Sequence, residues 1–270
     1  MIKRDFYVDG GYLSWVYGVS GSGLNSWNTT RTKYSRKANV AFLMDSPTPF
    51  RYRQVYYPPY KAHRAEKVAT KPEWAEKKER VDQFRDLLFE DPTIETFWVE
   101  GHEADDLVGI LAIQEKKPLP VVGRDKDLLQ LGKLLALREH SGEPVTMQNF
   151  IARQPKKLEG LVKTPGHLLL SLALMGDKSD DIPRLIPPYE LELMAYFLKS
   201  RDPWFEAVRY LGAADVFRNL YLTVLPGPWT WARYPAEKTV FKMVREGTYL
   251  RETMGRLSKE VKSGLSIFLR

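Results

Sequence analysis

The chain of 270 residues contains no cysteine. That excludes a disulfide framework, thiolate zinc sites and a cysteine nucleophile. Nor does it hold an apolar run of roughly 18 residues, the length a membrane-spanning helix needs. The start, Met1 to Gly10, offers only the Lys3-Arg4 pair and the short apolar stretch Phe6 to Val8. A secretory signal needs a longer apolar region than that. No internal repeat or low-complexity tract is present. The expectation is no membrane association and a cytoplasmic location (the host cytoplasm for a phage-encoded chain). With 43% apolar and 28% charged residues the composition is that of a folded protein, long enough for one large domain or two small ones.

What the chain does have is positive charge, and it is unevenly placed. The formal net charge is +7. From Arg51 to Arg80 stand Arg51, Arg53, Lys61, Arg64, Lys67, Lys71, Lys77, Lys78 and Arg80, opposed only by Glu66, Glu73, Glu76 and Glu79; nine minus four leaves +5 in this one stretch. A solvated basic surface accounts for net charge alone. A concentrated basic segment suits a polyanion such as nucleic acid.

Hydrophobic periodicity organises the first half as alternating strands and helices. Short apolar runs ending at Asp9 and Asp45, and those at Thr96 to Val99, Leu119 to Val122 and Leu134 to Leu137, read as strands. Helices are expected from Tyr12, over Lys71 to Phe89, over Glu103 to Lys117 and from Asp125 to Leu131. The end of a helix is expected at Thr32 to Lys37. This alternation predicts an α/β fold with a mainly parallel sheet and helices on both faces. From about Pro155 the pattern turns helical, over Pro165 to Met175, Tyr189 to Lys199, Pro203 to Leu211 and Ala213 to Leu222. Leu225 to Tyr234, rich in proline and tryptophan, reads as a loop, and Ala236 to Arg270 as a basic, mixed stretch. The expected division is an α/β core over 1–150, with an arch at about 47–80, and a mostly helical region over 151–270.

Against that frame, acidic residues cluster where strands end. Asp9 precedes Gly10-Gly11, and Asp45 closes the second strand. Glu103-Ala104-Asp105-Asp106 puts three acids in one helical turn, with Glu103 and Asp106 at i,i+3. One or two acids there would serve as helix N-terminal capping; three exceed that need. Asp125 and Asp127 follow the fourth strand, and Asp177 and Asp180 lie in the turn Gly176 to Pro183. Parallel sheets bind ligands beyond the carboxyl ends of their strands. Converging carboxylates repel unless cations neutralise them, and hard oxygen ligands select Mg²⁺ or Mn²⁺ over zinc. That chemistry belongs to phosphate esters.

The motifs Val8-Asp9-Gly10, Met44-Asp45, Tyr60-Lys61-Ala62-His63-Arg64, Glu103 to Asp106, Gly123 to Leu131 and Gly176 to Pro183 resemble, in order and spacing, those of the 5′ nuclease superfamily. That superfamily includes flap endonucleases, phage 5′-exonucleases and the 5′→3′ exonuclease domain of bacterial DNA polymerase I. The resemblance runs from residue 5 to about 183. It implies a phosphodiesterase using two Mg²⁺ or Mn²⁺ ions, active as a 5′→3′ exonuclease or flap endonuclease in DNA replication or repair. Asp9, Asp45, Glu103 and Asp105 would hold the first ion. Asp106, Asp125, Asp127, Asp177 and Asp180 would hold or orient the second. Lys61 and Arg64, read as i,i+3 neighbours on one helical face, would clamp the scissile phosphate. Tyr60 would stack on an unpaired base. Arg51, Arg53, Lys77, Lys78 and Arg184 are the expected DNA contacts. The implied partner is DNA with a 5′ end, flap or nick, bound by a monomer, and no sliding-clamp peptide is evident.

One motif departs from the family pattern. Where the family carries a glycine-rich helix–hairpin–helix turn, this chain has Arg184-Leu185-Ile186-Pro187-Pro188-Tyr189-Glu190. Proline has no N–H to offer a phosphate. The departure puts the family's K⁺ site and duplex grip in question. Asp181 also replaces the usual asparagine. Two other readings remain: an RNA nuclease on a PIN-like fold, and a non-catalytic nucleic-acid-binding protein on the same scaffold.

Overall fold

The computed structural model describes residues 6–19, 39–47, 49–92, 94–115, 117–148 and 160–225. The readings made for Thr32 to Lys37, for most of Leu225 to Tyr234 and for Ala236 to Arg270 fall outside these residues. The chain forms two compact units. The first comprises Met1–Asp125 and Leu135–Val145; the second comprises Lys126–Leu134 and Thr146–Arg270.

The first unit is built on a five-stranded parallel sheet in the order β3-β2-β1-β4-β5. The strands are β1 (Phe6–Asp9), β2 (Val40–Leu43), β3 (Glu95–Phe97), β4 (Leu119–Val122) and β5 (Leu135–Arg138). β3 is shorter than the expected Thr96 to Val99 run and begins one residue earlier. β1 is central, in register with β2 through Val8 opposite Phe42 and with β4 through Val8 opposite Val122. Aromatic and branched side chains suit these buried strands. The order steps one way from β1 to β3 and the other way from β4 to β5. Right-handed crossovers therefore lay helices on both faces. Helix α1 (Gly10–Val19) packs on α4 (Pro72–Glu90). Leu13, Tyr17, Phe84 and Leu88 form a core there with Val8, Phe42 and Met44. Helix α5 (Ala104–Gln114) contacts β1, β2 and β4. Between β2 and α4 stand two short helices, α2 (Arg51–Tyr56) and α3 (Ala62–Thr70).

Gly10 has a steric reason. A Cβ there would lie 2.0 Å from Met44 Sδ and 2.9 Å from the Leu43 carbonyl. Only glycine lets α1 start this close to β2, directly after Asp9.

In the second unit α6 (Pro165–Met175) is apolar almost all round, as a central helix must be. Pro165 opens it, and the Thr164 hydroxyl caps it by accepting the His167 N–H at 3.1 Å. Around it pack α7 (Leu191–Lys199), α8 (Pro203–Leu211) and α9 (Ala213–Thr223), with Phe197, Trp204, Val216 and Leu220 in the core. Where a helix is expected over Asp125 to Leu131, the structure has a tighter 3₁₀ helix over Lys126–Leu134, broken at Gly132, whose φ is +54°. It groups with the second unit for a visible reason. Gln130 donates to the Thr223 carbonyl at 3.0 Å and accepts from the Leu225 N–H at 2.9 Å. Leu129 joins the apolar core beside it.

No helix among the described residues is long and apolar enough to cross a membrane.

Candidate metal centre

The carboxyl ends of β1 and β2 carry Asp9 and Asp45. The Asp9 side chain turns back on α1 and accepts the Tyr12 N–H at 3.0 Å. Gly11 lies over both carboxylates; a Cβ there would sit 3.3 Å from Asp9 Oδ1 and 3.6 Å from Asp45 Oδ2. Asp45 accepts the Ala104 N–H at 2.8 Å, at the start of α5. The first residue of that helix is thus capped from another strand. Glu103 and Asp106 cap the same helix reciprocally, each side chain accepting from the other's backbone N–H. Capping and clustering are therefore compatible uses of these acids. One oxygen each from Glu103, Asp105 and Asp106 lies within 4.8 Å of the others.

Burial governs the charges in this group. Asp9 is buried, and that burial, with the nearby charges of Asp125 and Asp45, pushes its carboxyl up to about 7. Asp45 is raised by burial and then by Glu103. Asp105 is raised well above the carboxylate range by burial and by Glu103 and Asp106 beside it. Glu103 goes the other way. Burial alone would raise it, but Lys61 and Arg53 outweigh that and hold it below its ordinary value. Three donors converge on Glu103: the Arg53 guanidinium, the Lys61 ammonium and the Tyr60 hydroxyl, the last at 3.0 Å. Arg53 also reaches both oxygens of Asp106, at 3.0 and 3.1 Å. Asp105 has no such donor: its Oδ1 is buried without a hydrogen-bond partner. A buried, unpartnered carboxylate oxygen among other carboxylates is what a hard cation would satisfy.

The second group lies in the second unit. One oxygen each from Asp127, Asp177 and Asp180 lies within 4.8 Å of the others. The turn holding it is tightly built. Asp177 and Ile182 exchange backbone hydrogen bonds at 3.1 and 2.9 Å. Asp177 Oδ1 accepts from the Ser179 N–H at 2.7 Å and the Ser179 hydroxyl at 2.6 Å. Asn219 of α9 donates to the carbonyls of Ala173 and Pro183, at 2.8 and 2.6 Å, pinning both ends of the turn. Gly176 has φ +65° and ψ 178°, and a Cβ there would lie 2.6 Å from the Ile182 carbonyl, so glycine is required. Asp181 has φ +57°, a conformation that aspartate and asparagine both tolerate, which explains the exchange at that position. Lys126 pairs with Asp177 and, against the cost of burial, holds its carboxyl below the usual range.

The grouping differs from the one the resemblance implied. Asp106 sits with Glu103 and Asp105, because it shares their helical turn and their arginine. Asp125 belongs to the first unit and acts on Asp9, while Asp127, two residues on, belongs to the second.

Several expected DNA contacts are placed otherwise. Arg53 is 2% exposed and spent on Glu103 and Asp106, so it is an internal counter-ion and not a phosphate contact. Its pKa stays high because Asp106 and its neighbours outweigh burial. Tyr60 is 3% exposed, edge-on to Phe50, and offers no open face for stacking. Lys61 is not within a helix; it precedes α3 with φ +54°. Arg64 lies within α3 and is exposed. The two still converge, with Lys61 Nζ 4.8 Å and the Arg64 guanidinium 5.8 Å from the Phe50 ring centre. Lys78 is exposed and paired with Asp82, Lys77 lies against Trp74, and exposed Arg184 ties its Nε to the Met175 carbonyl at 2.9 Å. The Arg51 side chain lies outside the described set. Charge counting put Arg53 on the surface and passed over Lys126, since an internal counter-ion and a surface cation look alike in sequence; Asn219, uncharged, carries no local signal of its role. Lys126 at least stands between two of the acids.

Residues 7–153, more than half the chain, match the family described as 5′-3′ exonuclease, N-terminal resolvase-like domain. The chain belongs to that family. Among curated relatives it is 31% identical over 116 residues to a 5′-3′ exonuclease of Buchnera aphidicola subsp. Schizaphis graminum, covering 42% of this chain and 38% of that protein. It is 31% identical over 234 residues to DNA polymerase I of Chloroflexus aurantiacus, covering 80% of this chain and 23% of the polymerase. The chain thus spans well under half the length of these relatives. Among solved structures, a bacteriophage T5 5′-exonuclease with bound divalent zinc superposes with a TM-score of 0.61 at 19% identity, over 90% of this chain and 98% of that one. A bacteriophage T5 flap endonuclease in a complex with DNA and metal ions gives 0.58 at 19% identity, over 98% and 99%. These two structures share the fold.

Proposed function

We propose that the chain is a divalent-metal-dependent 5′ nuclease that hydrolyses DNA phosphodiesters as a 5′→3′ exonuclease, a flap endonuclease or both. The observation that carries this reading is the trio of buried Glu103, half-buried Asp105 and buried Asp106, in which one buried oxygen of Asp105 has no donor. Family membership supports the reaction class. Two three-carboxylate groups, one in each unit, support two ions, and their all-oxygen donors favour Mg²⁺ or Mn²⁺. When bound, such ions neutralise charge on the reacting phosphate and acidify a water.

The chain's own residues have distinct tasks. Asp9, buried, and Asp45 and Asp105, half-buried, are all reluctant to ionise, so they gain most from a cation and release protons as they bind it. Arg53 fixes Glu103 and Asp106 in place. Lys61 and Arg64, gathered on Phe50, are the groups proposed to hold the scissile phosphate and to favour its transition-state charge. The DNA is proposed to present a 5′ end, flap or nick, bound by a monomer.

The test uses 5′-labelled flap, nicked and blunt DNA duplexes, with a matched RNA strand, in Mg²⁺ and in EDTA. Cleavage should require the divalent ion, and Asp105→Asn should lower the rate by about two orders of magnitude or more, in line with the several kcal/mol a catalytic metal contributes. Undiminished cleavage in excess EDTA overturns the metal mechanism. A preference for the RNA strand overturns the DNA assignment.

A further inference from the structure

The acidic group of the second unit carries a cation of its own. Asp127, Asp177 and Asp180 are half-buried, and one oxygen of each lies within 4.8 Å of the others. Asp177 is engaged at both oxygens. Its Oδ1 accepts from the Ser179 N–H and hydroxyl, at 2.7 and 2.6 Å, and its Oδ2 takes the Lys126 ammonium. Lys126 precedes Asp127 in sequence, so the 3₁₀ segment brings a ligand and a cation to the same group. Lys178, next to Asp177, is exposed and forms no ion pair among the described residues.

The cations of the two acidic groups are held differently. Arg53 is 2% exposed and binds two carboxylates, so moving it would strand both in the interior. The Lys126 side chain is 39% exposed and binds a single carboxylate. An ammonium on a flexible four-carbon stem can swing from there into water. A divalent ion ligated by Asp177 needs a carboxylate oxygen that is not already saturated. Oδ1 accepts two hydrogen bonds, which leaves Oδ2, where the ammonium lies. Ammonium and metal ion therefore contend for one place. Charge favours the metal, since an ammonium offsets one of three negative charges and a divalent ion offsets two. We propose that Lys126 is an internal competitor for the second ion: its ammonium occupies Asp177 Oδ2 in the metal-free chain, leaves that oxygen when a divalent cation binds, and so lowers the affinity of this group for the ion. The inference rests on the two-ion nuclease reading and adds to it the residue that governs occupancy of the second group.

The test measures Mn²⁺ binding to the full chain from the electron paramagnetic resonance signal of the free ion. Lys126→Met keeps most of the stem and drops the charge, and one class of sites should tighten about tenfold. Lys126→Arg keeps a cation in place and should stay near wild type. Lys178→Met removes the same charge without the contact, and it should change the affinity by less than about threefold. In an Asp177→Asn background the gain from Lys126→Met should disappear, because the contested oxygen is no longer a carboxylate. Urea unfolding gives a second readout. In EDTA Lys126→Met should be less stable than wild type, with three carboxylates uncompensated, and Mn²⁺ should restore more stability to it than to wild type. Unchanged or weaker Mn²⁺ binding in folded Lys126→Met would overturn the proposal, and so would an equal gain in Lys178→Met. The two readings fail separately. If neither wild type nor Lys126→Met binds Mn²⁺, the two-ion reading falls and this inference with it. If wild type binds and Lys126→Met binds no tighter, only this inference falls.

Discussion

Replacing Asp9 with asparagine should make the metal-free protein more stable at alkaline pH. Asp9 is 7% exposed. Burial, followed by the fields of Asp125 and Asp45, raises its carboxyl from 3.8 to about 7. A raised folded-state pKa means the fold favours the protonated form. The stability this contributes is complete below the unfolded value near 3.8 and is lost as pH rises through about 7. A shift of about 3 units corresponds to about 4 kcal/mol over the whole range, of which about 2–3 kcal/mol falls between pH 5 and pH 8. Asparagine stays neutral throughout, and its oxygen can still accept the Tyr12 N–H. Asp45 and Asp105, also raised, push in the same direction in both proteins. Glu103 and Asp177, which are lowered, act only below their ordinary values of 4.5 and 3.8, outside this window. The assay is urea unfolding of wild type and Asp9→Asn in EDTA at pH 5 and pH 8. Wild type should lose about 2–3 kcal/mol more than the variant across that interval. Adding Mg²⁺ at pH 8 should then stabilise wild type more than the variant, because the ion relieves the charge that asparagine never carries. Equal pH dependence in the two proteins would refute the assignment of Asp9 as a buried carboxylate strained by its own charge.

Arg53→Ala should destabilise the first unit by about 3–5 kcal/mol, because it strands Glu103 and Asp106 without their counter-ion; a stable variant with only a reduced salt slope for DNA would return Arg53 to the surface. Lys61→Ala should lower the cleavage rate far more than it weakens DNA binding, and a normal rate at saturating DNA would remove Lys61 from the reaction. Duplex binding should be the same in matched KCl and NaCl. In the altered turn the N–H groups of Leu185 and Ile186 both bond the Leu174 carbonyl, Glu190 N–H bonds Pro187, and Pro187 and Pro188 have none to give. The expectation is that phosphate contact there comes from side chains such as those of Arg184, Lys199 and Arg201. A reproducible several-fold advantage for K⁺, read by anisotropy, would show a cation site in that turn.

How much of this was legible beforehand follows from where the information resides. Strand-ending apolar runs and the acids that close them are local features. Asp9, Asp45 and the Glu103 to Asp106 turn could therefore be read directly, along with the parallel α/β architecture and every strand to within a residue or two. The helices α6, α8 and α9 were equally plain, because Pro165 and Pro203 open two of them and their apolar faces recur with helical period. The 3₁₀ geometry of Lys126–Leu134 was not, since the anchoring of Gln130 on α9 depends on a contact to Thr223, 93 residues later in sequence. Local pattern likewise cannot say which cations turn inward. Arg53 and Lys61 carry the same charge as Lys77 and Lys78, and only packing against Glu103 and Asp106 sets them apart. Sequence by itself determined which residue types are available for metal chemistry and the order in which they come. Tertiary structure alone decided which acids share a site, which keeps an oxygen without a donor, and which basic residues stay exposed, because burial and pairing are properties of three-dimensional neighbours.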